Sequence, residues 1–303
     1  MPEFKDYLHL HFLVLIWGFT AILGLLITIP PVEVVFYRTL IACIGLGVLM
    51  STRQVSFRVE KTDAIKLLLT GSVIAAHWIL FFTSARISTA SVCLAGMATT
   101  SFWTSFLEPL ALNKKIKWYE VFLGVIVIIG LYVIFHFEFN HALGLALALI
   151  SAFLAALFTV INSKFAKVHH HQTITFYEMM GACISIAIFF PVYKNSIAMN
   201  HELHLNLSAT DFIYIFLLAV VCTVYAYTAS IELMKKISAF SVNLTINLEP
   251  VYGIILAVLI FGEKEKMQAG FYIGAGIILL SVLAHPFLNK LYHRKYLEAD
   301  NLR

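Results

Sequence analysis

"FYRTLIACI" at residues 36–44 and "FYEMMGACI" at residues 176–184 are two versions of one phrase, sharing Phe, Tyr, Ala, Cys and Ile at an offset of 140. A second phrase recurs later. "ISTASVCL" at 87–94 and "ISAFSVNL" at 237–244 share Ile, Ser, Ser, Val and Leu at an offset of 150. The same offset of 150 pairs Ala76 with Ala226, Lys114 with Lys264 and Gly124 with Gly274. One insertion in the polar connector at 193–210 accounts for both offsets. The chain therefore reads as two copies of one unit.

The copies are built for a bilayer. Of the 303 residues, 60% are hydrophobic and 13% charged, with a mean hydropathy of +0.87. A soluble domain is about 45–50% apolar and about 25% charged. The apolar residues fall in unbroken blocks near 8–29, 33–50, 64–84, 88–112, 118–136, 142–162, 173–192, 211–232, 238–260 and 267–285. Blocks of about 20 residues span roughly 30 Å of hydrocarbon as helices. Barrel strands would alternate instead. Lys5 precedes the first block, and no small-residue cleavage site follows it, so "MPEFKDYLHLHFLVLIWGF" reads as a first spanning helix rather than a removed signal peptide.

Charge sets the orientation. With the N-terminus cytoplasmic, 16 Lys and Arg residues fall in inside segments and four (Arg86, Lys194, Lys264 and Lys266) outside, leaving Arg38 within the second block. This is a strong positive-inside bias. Five helices per copy is an odd number, so the second copy crosses in the opposite sense. Lys114, Lys115 and Lys117 lie inside, whereas their counterpart "GEKEK" at 262–266 is nearly neutral and lies outside. The expectation is an all-α polytopic membrane protein with ten transmembrane helices. These form two inverted five-helix repeats, 1–136 and 137–286, and a short cytoplasmic tail, 287–303, with both termini cytoplasmic. Such halves, related by a pseudo-two-fold axis, are a common transporter arrangement.

Several function classes lose support. The net charge of +4 is spread over short connectors, which does not suit nucleic acid. Cys43, Cys93, Cys183 and Cys222 sit in four different blocks without CxxC spacing, so neither zinc nor a disulfide framework is indicated. There is no Walker loop, HExxH or recognisable Ser, His and Asp set, and no connector large enough for a catalytic module. An enzyme is not expected, and no cofactor or metal is called for. The His169–His171 run lies in an inside connector, and adjacent histidines do not by themselves converge on a metal.

The intramembrane polar residues are the candidate site. A carboxylate at mid-membrane depth is costly unless paired, solvated or protonated. Glu249 lies there, beside Pro250, which removes a donor and disrupts the helix near residue 246. Thr245, Glu249 and Tyr252 fall on one helical face. Glu249 is expected to contact substrate, a coupled proton, or both; the competing reading is a packing role. Ser101, Thr104 and Glu108 form another stripe, with Pro109 as a second helix break, and read as an inner gate or as groups reaching interfacial water. Arg38 either snorkels outward or attracts an anionic or zwitterionic substrate. His77 and Trp78 lie in the outer half of the third helix, and Tyr227 is the repeat counterpart of His77. Trp17, Trp103, Tyr225 and Tyr227 add aromatic surface. Glu178 and Glu232 are placed near the inner surface, with Glu232 paired to Lys235 and Lys236.

At this point the chain resembles the EamA-like family of the drug/metabolite transporter superfamily. "SAFSVNLTINLEPVYGIILAVLIFGEKEKMQAGFYIGAGIIL" at 238–279 is similar to the family's ninth helix, loop and tenth helix, with Pro250, Gly262, Glu263, Gly270 and Gly274 in place. "FYRTLIA" at 36–42 resembles its second helix, with Arg38 matching the family's arginine, and "WYEVFLGVIVIIGLY" at 118–132 resembles its fifth. The first half departs from the pattern. Thr100 stands where Pro250 would match, Asn113 where Glu263 would, and Glu108-Pro109 lies nine residues further along than the matching position.

The resemblance implies a secondary transporter of small metabolites, often amino acids or their relatives, through a central cavity lined by helices 3, 4, 8 and 9. The partners expected are a small-molecule substrate, the lipid bilayer and, where Glu249 serves coupling, a proton, with monomer or homodimer left open. The location expected is a bacterial inner membrane. A sugar or nucleotide-sugar carrier would call for clustered cavity Lys or Arg, and only Arg38 is found. A non-transporting scaffold is the alternative outside the transport class. The topology makes a direct prediction. A cysteine reporter placed in 262–266 reacts with a membrane-impermeant reagent from outside and one in 290–303 from inside; reaction of both from one side overturns the inverted arrangement.

Overall fold

A computed structural model describes residues 2–135, 141–249, 251–252 and 269–300. Pro250 and the Gly262-Glu263 pair lie outside the described residues. Among those described, all regular structure is helical: α1 (Phe4–Leu26), α2 (Pro31–Thr52), α3 (Lys61–Ile87), α4 (Ala90–Met97), α5 (Thr100–Leu112), α6 (Trp118–Phe135), α7 (Ala142–Phe165), α8 (His171–Ser196), α9 (Ala209–Leu217), α10 (Thr228–Leu233), α11 (Ala239–Ile246) and α12 (Ala269–Asp300). A π-helical stretch, Leu218–Tyr227, joins α9 to α10, and a short 3-10 turn, Met199–His201, follows α8.

Seven described segments are long and apolar enough to cross a membrane: α1, α2, α3, α7, α8, the continuous run Ala209–Leu233, and Tyr272–Tyr292 within α12. The protein is a multi-pass helical membrane protein. The fourth apolar block is divided between α4 and α5, and the ninth is described only as far as Tyr252.

Helix ends follow local chemistry. Pro31 opens α2, where its missing N–H costs nothing. Ser208 and Ser238 cap α9 and α11 by accepting from the backbone N–H groups of Asp211 and Ser241. Asn113 ends α5 in the left-handed conformation, φ 51°.

The break in the fourth block is a correction to the sequence reading. It was expected at Pro109, yet α5 runs through Pro109 to Leu112. The chain breaks instead at Ala98–Thr99. There the Thr99 and Thr100 hydroxyls donate to the carbonyls of Gly96 (2.9 Å) and Met97 (2.6 Å), three residues back. Threonines that bond back to nearby carbonyls offer the backbone an alternative to the helix ladder. In the other half α11 stops at Ile246, the residue whose carbonyl a proline at 250 would crowd.

Packing depends on small residues, as it does where lipid tails remove the hydrophobic incentive for helices to associate. α3 packs on α7 and α8, α2 on α8, α5 on α11 and α6 on α12. A Cβ on Gly71 of α3 would collide with the Glu178 carbonyl and come within 2.7 Å of the Ala182 amide. A Cβ on Gly181 of α8 would lie 2.6 Å from the Leu68 Cα. At this crossing two backbones touch, so no side chain can yield. Exposed apolar residues such as Phe122, Ile188, Leu280 and Phe287 face outward, where a bilayer solvates them.

Overpacking a tight core costs about 1–3 kcal/mol, and a backbone-to-backbone contact relaxes least. Gly181→Leu is expected to lower the amount of folded protein recovered from membranes and its melting temperature. Ile188→Leu, on the outward face, leaves both unchanged. Equal behaviour of the two variants in a detergent thermal-melt assay would refute the close crossing.

Candidate substrate cavity

A cavity of about 90 Å³ lies between the helices, lined by residues of α1, α2, α3, α4, α5, α7, the π stretch, α10, α11 and the residues just after α10 and α11. This is well above the roughly 10–15 Å³ that one water needs. Its walls are largely apolar and include the rings of Trp17, Trp78, Phe81 and Phe158, and its polar groups include Arg38, Glu249, His77 and Tyr227.

Arg38 points inward from α2 and is only 3% exposed, so it does not snorkel. Its Nε donates to Thr223 Oγ1 at 2.9 Å, and its guanidinium carbon sits 3.7 Å above the Trp78 ring. This cation–π contact fixes the plane of the fork. The two terminal nitrogens make no hydrogen bond to any described residue. Glu249 is 7% exposed. Its Oε1 is 3.4 Å from Thr20 Oγ1, but the one Thr20 proton already has a 2.7 Å partner in the Trp17 carbonyl. Glu249 is thus nearly without a donor. Among the described residues no ion pair joins Arg38 to Glu249, so two opposite charges line one cavity with their binding capacity unused.

The π stretch sets much of this geometry. Thr223 Oγ1 donates to the Leu218 carbonyl five residues back, at 3.0 Å, while accepting from Arg38. The Cys222 carbonyl accepts from Trp17 Nε1 at 3.1 Å. Wider-than-α winding is frequent at functional sites. Thr223 and Cys222 were missed in the sequence because helical periodicity of 3.6 does not hold there. Thr223 and Thr228, five apart, are the only visible signal.

His77 also lines the cavity, with Nδ1 2.9 Å from the Ser151 carbonyl and 2.8 Å from Ser151 Oγ. Tyr227 packs edge-on against Trp78 with centroids 6.3 Å apart. Thus Glu249, Arg38, His77, Trp78 and Tyr227 are brought together.

The other candidates go elsewhere. Thr245 bonds back to the Ser241 carbonyl, and Tyr252 meets His11 Nδ1 at 3.1 Å in a separate groove. The expected common face of Thr245, Glu249 and Tyr252 is lost because α11 ends between the first two. Trp103 packs against Phe102 and Phe153. Tyr225 is 44% exposed and meets His9.

Glu108 neither opens onto the cavity nor reaches water as its main contact. Its Oε2 accepts the Phe240 N–H at 2.7 Å, at the start of α11, where an anion suits the helix N-terminus. It is the first of three rungs between α5 and α11. Asn243 Nδ2 donates to Thr104 Oγ1 at 2.8 Å. The Asn247 amide, oriented so that both neighbours are satisfied, accepts from Ser101 Oγ at 2.8 Å and donates to the Ala98 carbonyl at 2.9 Å. The break in one helix is therefore bonded to the break in the other.

Polar clasps hold the two ends. Arg86 donates to the Gly24 carbonyl in the last turn of α1 and to the Ile27 and Ile29 carbonyls just beyond it, and Asp211 accepts the Thr28 N–H and hydroxyl, each at 2.7 Å. At the opposite end Lys236 donates to Asp6 at 2.9 Å, which holds its ammonium above the ordinary lysine range. This corrects the expected Glu232 pairing: Lys236 is taken by Asp6, and Glu232 lies 3.8 Å from His171 instead. His169 meets Asp63 at 2.9 Å. The expected surface position of Glu178 is also corrected, because it is fully buried.

Removing a carboxylate that caps a buried helix end costs about 0.5–2 kcal/mol. Glu108→Ala is expected to lower the melting temperature, and Glu108→Gln to restore most of it, since an amide oxygen still accepts from Phe240. Identical melts for Ala and parent would contradict the rung.

A model of the EamA-like transporter family matches residues 7–136 and again residues 142–284. A protein of Archaeoglobus fulgidus described as an uncharacterized transporter is 25% identical over 169 residues, 54% of this chain. That match spans 56% of the relative's own length. A solved structure titled "Crystal structure of protein" superposes with a TM-score of 0.73 at 13% identity, covering 95% of this chain and 99% of the other; at that identity it speaks for the fold alone.

Proposed function

The chain belongs to the EamA-like transporter family, and from that premise we propose that it is a secondary carrier of a small zwitterionic metabolite, such as an amino acid or a relative. The observation that carries this reading is the pair of unspent opposite charges in one largely apolar cavity, Arg38 and Glu249. A substrate carboxylate suits the planar guanidinium fork, whose remaining donors are free. A substrate ammonium suits Glu249. Water exclusion by Trp17, Trp78 and Phe158 strengthens both interactions.

Transport itself follows from symmetry in this reading. The repeat offsets make α2 equivalent to most of α8 and α6 equivalent to the start of α12, and each of these two pairs packs together. That is the contact pattern expected about a pseudo-two-fold axis, with one central site exposed alternately by rocking of the halves. A sugar-phosphate cargo is less well served, because Arg38 is the one Lys or Arg among the described cavity-lining residues.

Counterflow of labelled amino acids, amines and sugars in proteoliposomes tests the reading. A zwitterion is expected to show saturable exchange. A charge-assisted hydrogen bond contributes about 1.5–3 kcal/mol, so Arg38→Gln and Glu249→Gln should each weaken half-saturation roughly 10- to 100-fold. Arg38→Lys keeps charge without the fork and should fall between. Parental exchange by all three variants at matched abundance refutes substrate contact. No exchange across the panel, with specific protein capture instead, favours a scaffold. Glu249→Gln that keeps counterflow yet loses pH-driven uptake would move Glu249 from substrate binding to proton coupling.

A further inference from the structure

The recurring phrase places opposite charges at one position. Arg38 follows Phe-Tyr in the first copy, and Glu178 follows Phe-Tyr in the second. Arg38 serves the cavity, but Glu178 does not line it. Glu178 is 0% exposed, with Asn162 equally buried beside it. Its Oε2 accepts from the Tyr227 hydroxyl at 2.9 Å, and that hydroxyl accepts from Asn162 Nδ2 at 2.7 Å. Two oxygens of this cluster, Glu178 Oε1 and Asn162 Oδ1, have no hydrogen-bond partner.

Orphaned buried acceptors are rare and ask for an explanation. Both atoms accept; beside Glu178 the only donors are the Tyr227 hydroxyl and the Asn162 amide, both neutral, so its carboxylate has no cationic partner among the described residues. The helices packed on α8 do not provide it. On α2, Arg38 is turned to Thr223 and Trp78. On α3, Lys66 pairs with Asp63, and His77 is bonded to Ser151. On α10, Glu232 faces His171, at the start of α8 itself. The His201 ring in the turn after α8 is bonded to the Lys194 carbonyl. Cys43 and Cys183 lie further along α2 and α8. Tyr227 is the titratable group in contact with Glu178, and it also lines the cavity.

We propose that Glu178, with Asn162 and Tyr227, is the binding site of a coupling proton, set apart from the substrate cavity and linked to it by Tyr227. A hydronium entering from the cavity gives up one O–H bond and becomes water, and the proton forms a new O–H bond on Glu178 Oε1. The cluster goes from one negative charge to none, with no change of oxidation state. A protonated Oε1 is a donor in place of an orphan, and neutralisation removes the cost of a buried unpaired carboxylate. Metal cations are less suited, because hard divalent ions take about six or more oxygen ligands. The link to transport rests on the carrier reading; the proton site itself does not.

The test uses the full chain in lipid bilayers. Infrared spectroscopy during a pH titration is expected to show a protonated-carboxyl C=O band that is lost in Glu178→Gln, persists in Glu249→Gln and is unchanged when sodium replaces potassium. A band that survives Glu178→Gln overturns the site, and a band abolished by sodium at constant pH makes it a metal site instead. With a substrate from the counterflow panel, one coupled proton supports about tenfold accumulation per unit of pH gradient. Glu178→Gln should lose that tenfold while keeping parental counterflow; an equal fall in both, or no fall in either, overturns coupling. Should Glu178→Gln fail to fold, Tyr227→Phe removes one donor to the anion and should move the band's midpoint upward by about one pH unit. An unmoved midpoint sinks the proposal. If no substrate exchanges, the carrier reading fails while the infrared result still decides whether Glu178 holds a proton.

Discussion

A helix that stops within a bilayer leaves backbone groups with no water to satisfy them, and this chain stops two helices there. Each break faces the other. Asn247, in the turn after α11, bonds to the Ala98 carbonyl in the turn between α4 and α5 and to Ser101 just beyond it. Asn243 to Thr104 and Phe240 to Glu108 extend the contact by two further rungs. Separately either break would be expensive; bonded together, they form a central polar seam.

The cavity follows from that seam. Stopping α11 at Ile246 frees Glu249 from the helical face it would share with Thr245 and turns it toward Thr20 of α1. The Thr99-Thr100 pair sits at the break in the first half, where its hydroxyls bond back to carbonyls three residues earlier. The π stretch then turns Thr223 and Tyr227 to where Arg38 and Glu178 need them.

Duplication laid down equivalent positions, and substitution made them different. Arg38 and Glu178 are counterparts, as are His77 and Tyr227. His77 spends its Nδ1 on the Ser151 backbone and hydroxyl, whereas Tyr227 joins a carboxyl to an amide. A nearly symmetric scaffold thus carries an asymmetric set of charges, one cationic group facing the cavity and one carboxyl behind its wall.

Apolar block length is a local, additive property, and by itself it determined a helical multi-pass chain; the recurring phrases and the Lys and Arg distribution raised the expectation of two copies. Arg38, Glu249, His77, Trp78 and Tyr227 were legible because a polar or bulky aromatic group in a spanning block stands out against its neighbours. Partnership was not legible. Whether Glu108 met water or Phe240, whether Tyr225 faced the cavity or His9, and whether Glu178 lay at the surface or fully enclosed depended on neighbours on other helices, 132 residues away for Glu108 and 216 for Tyr225. The position of the break misled for a related reason: Pro109 is conspicuous, yet α5 continues through it, while the helix is interrupted where Thr99 and Thr100 bond back to the Gly96 and Met97 carbonyls. Only the tertiary structure decided these points, because in a bilayer a polar group's position is set by which helix can satisfy it, and that depends on crossings such as Gly71 against α8 rather than on the residue's own surroundings in the chain.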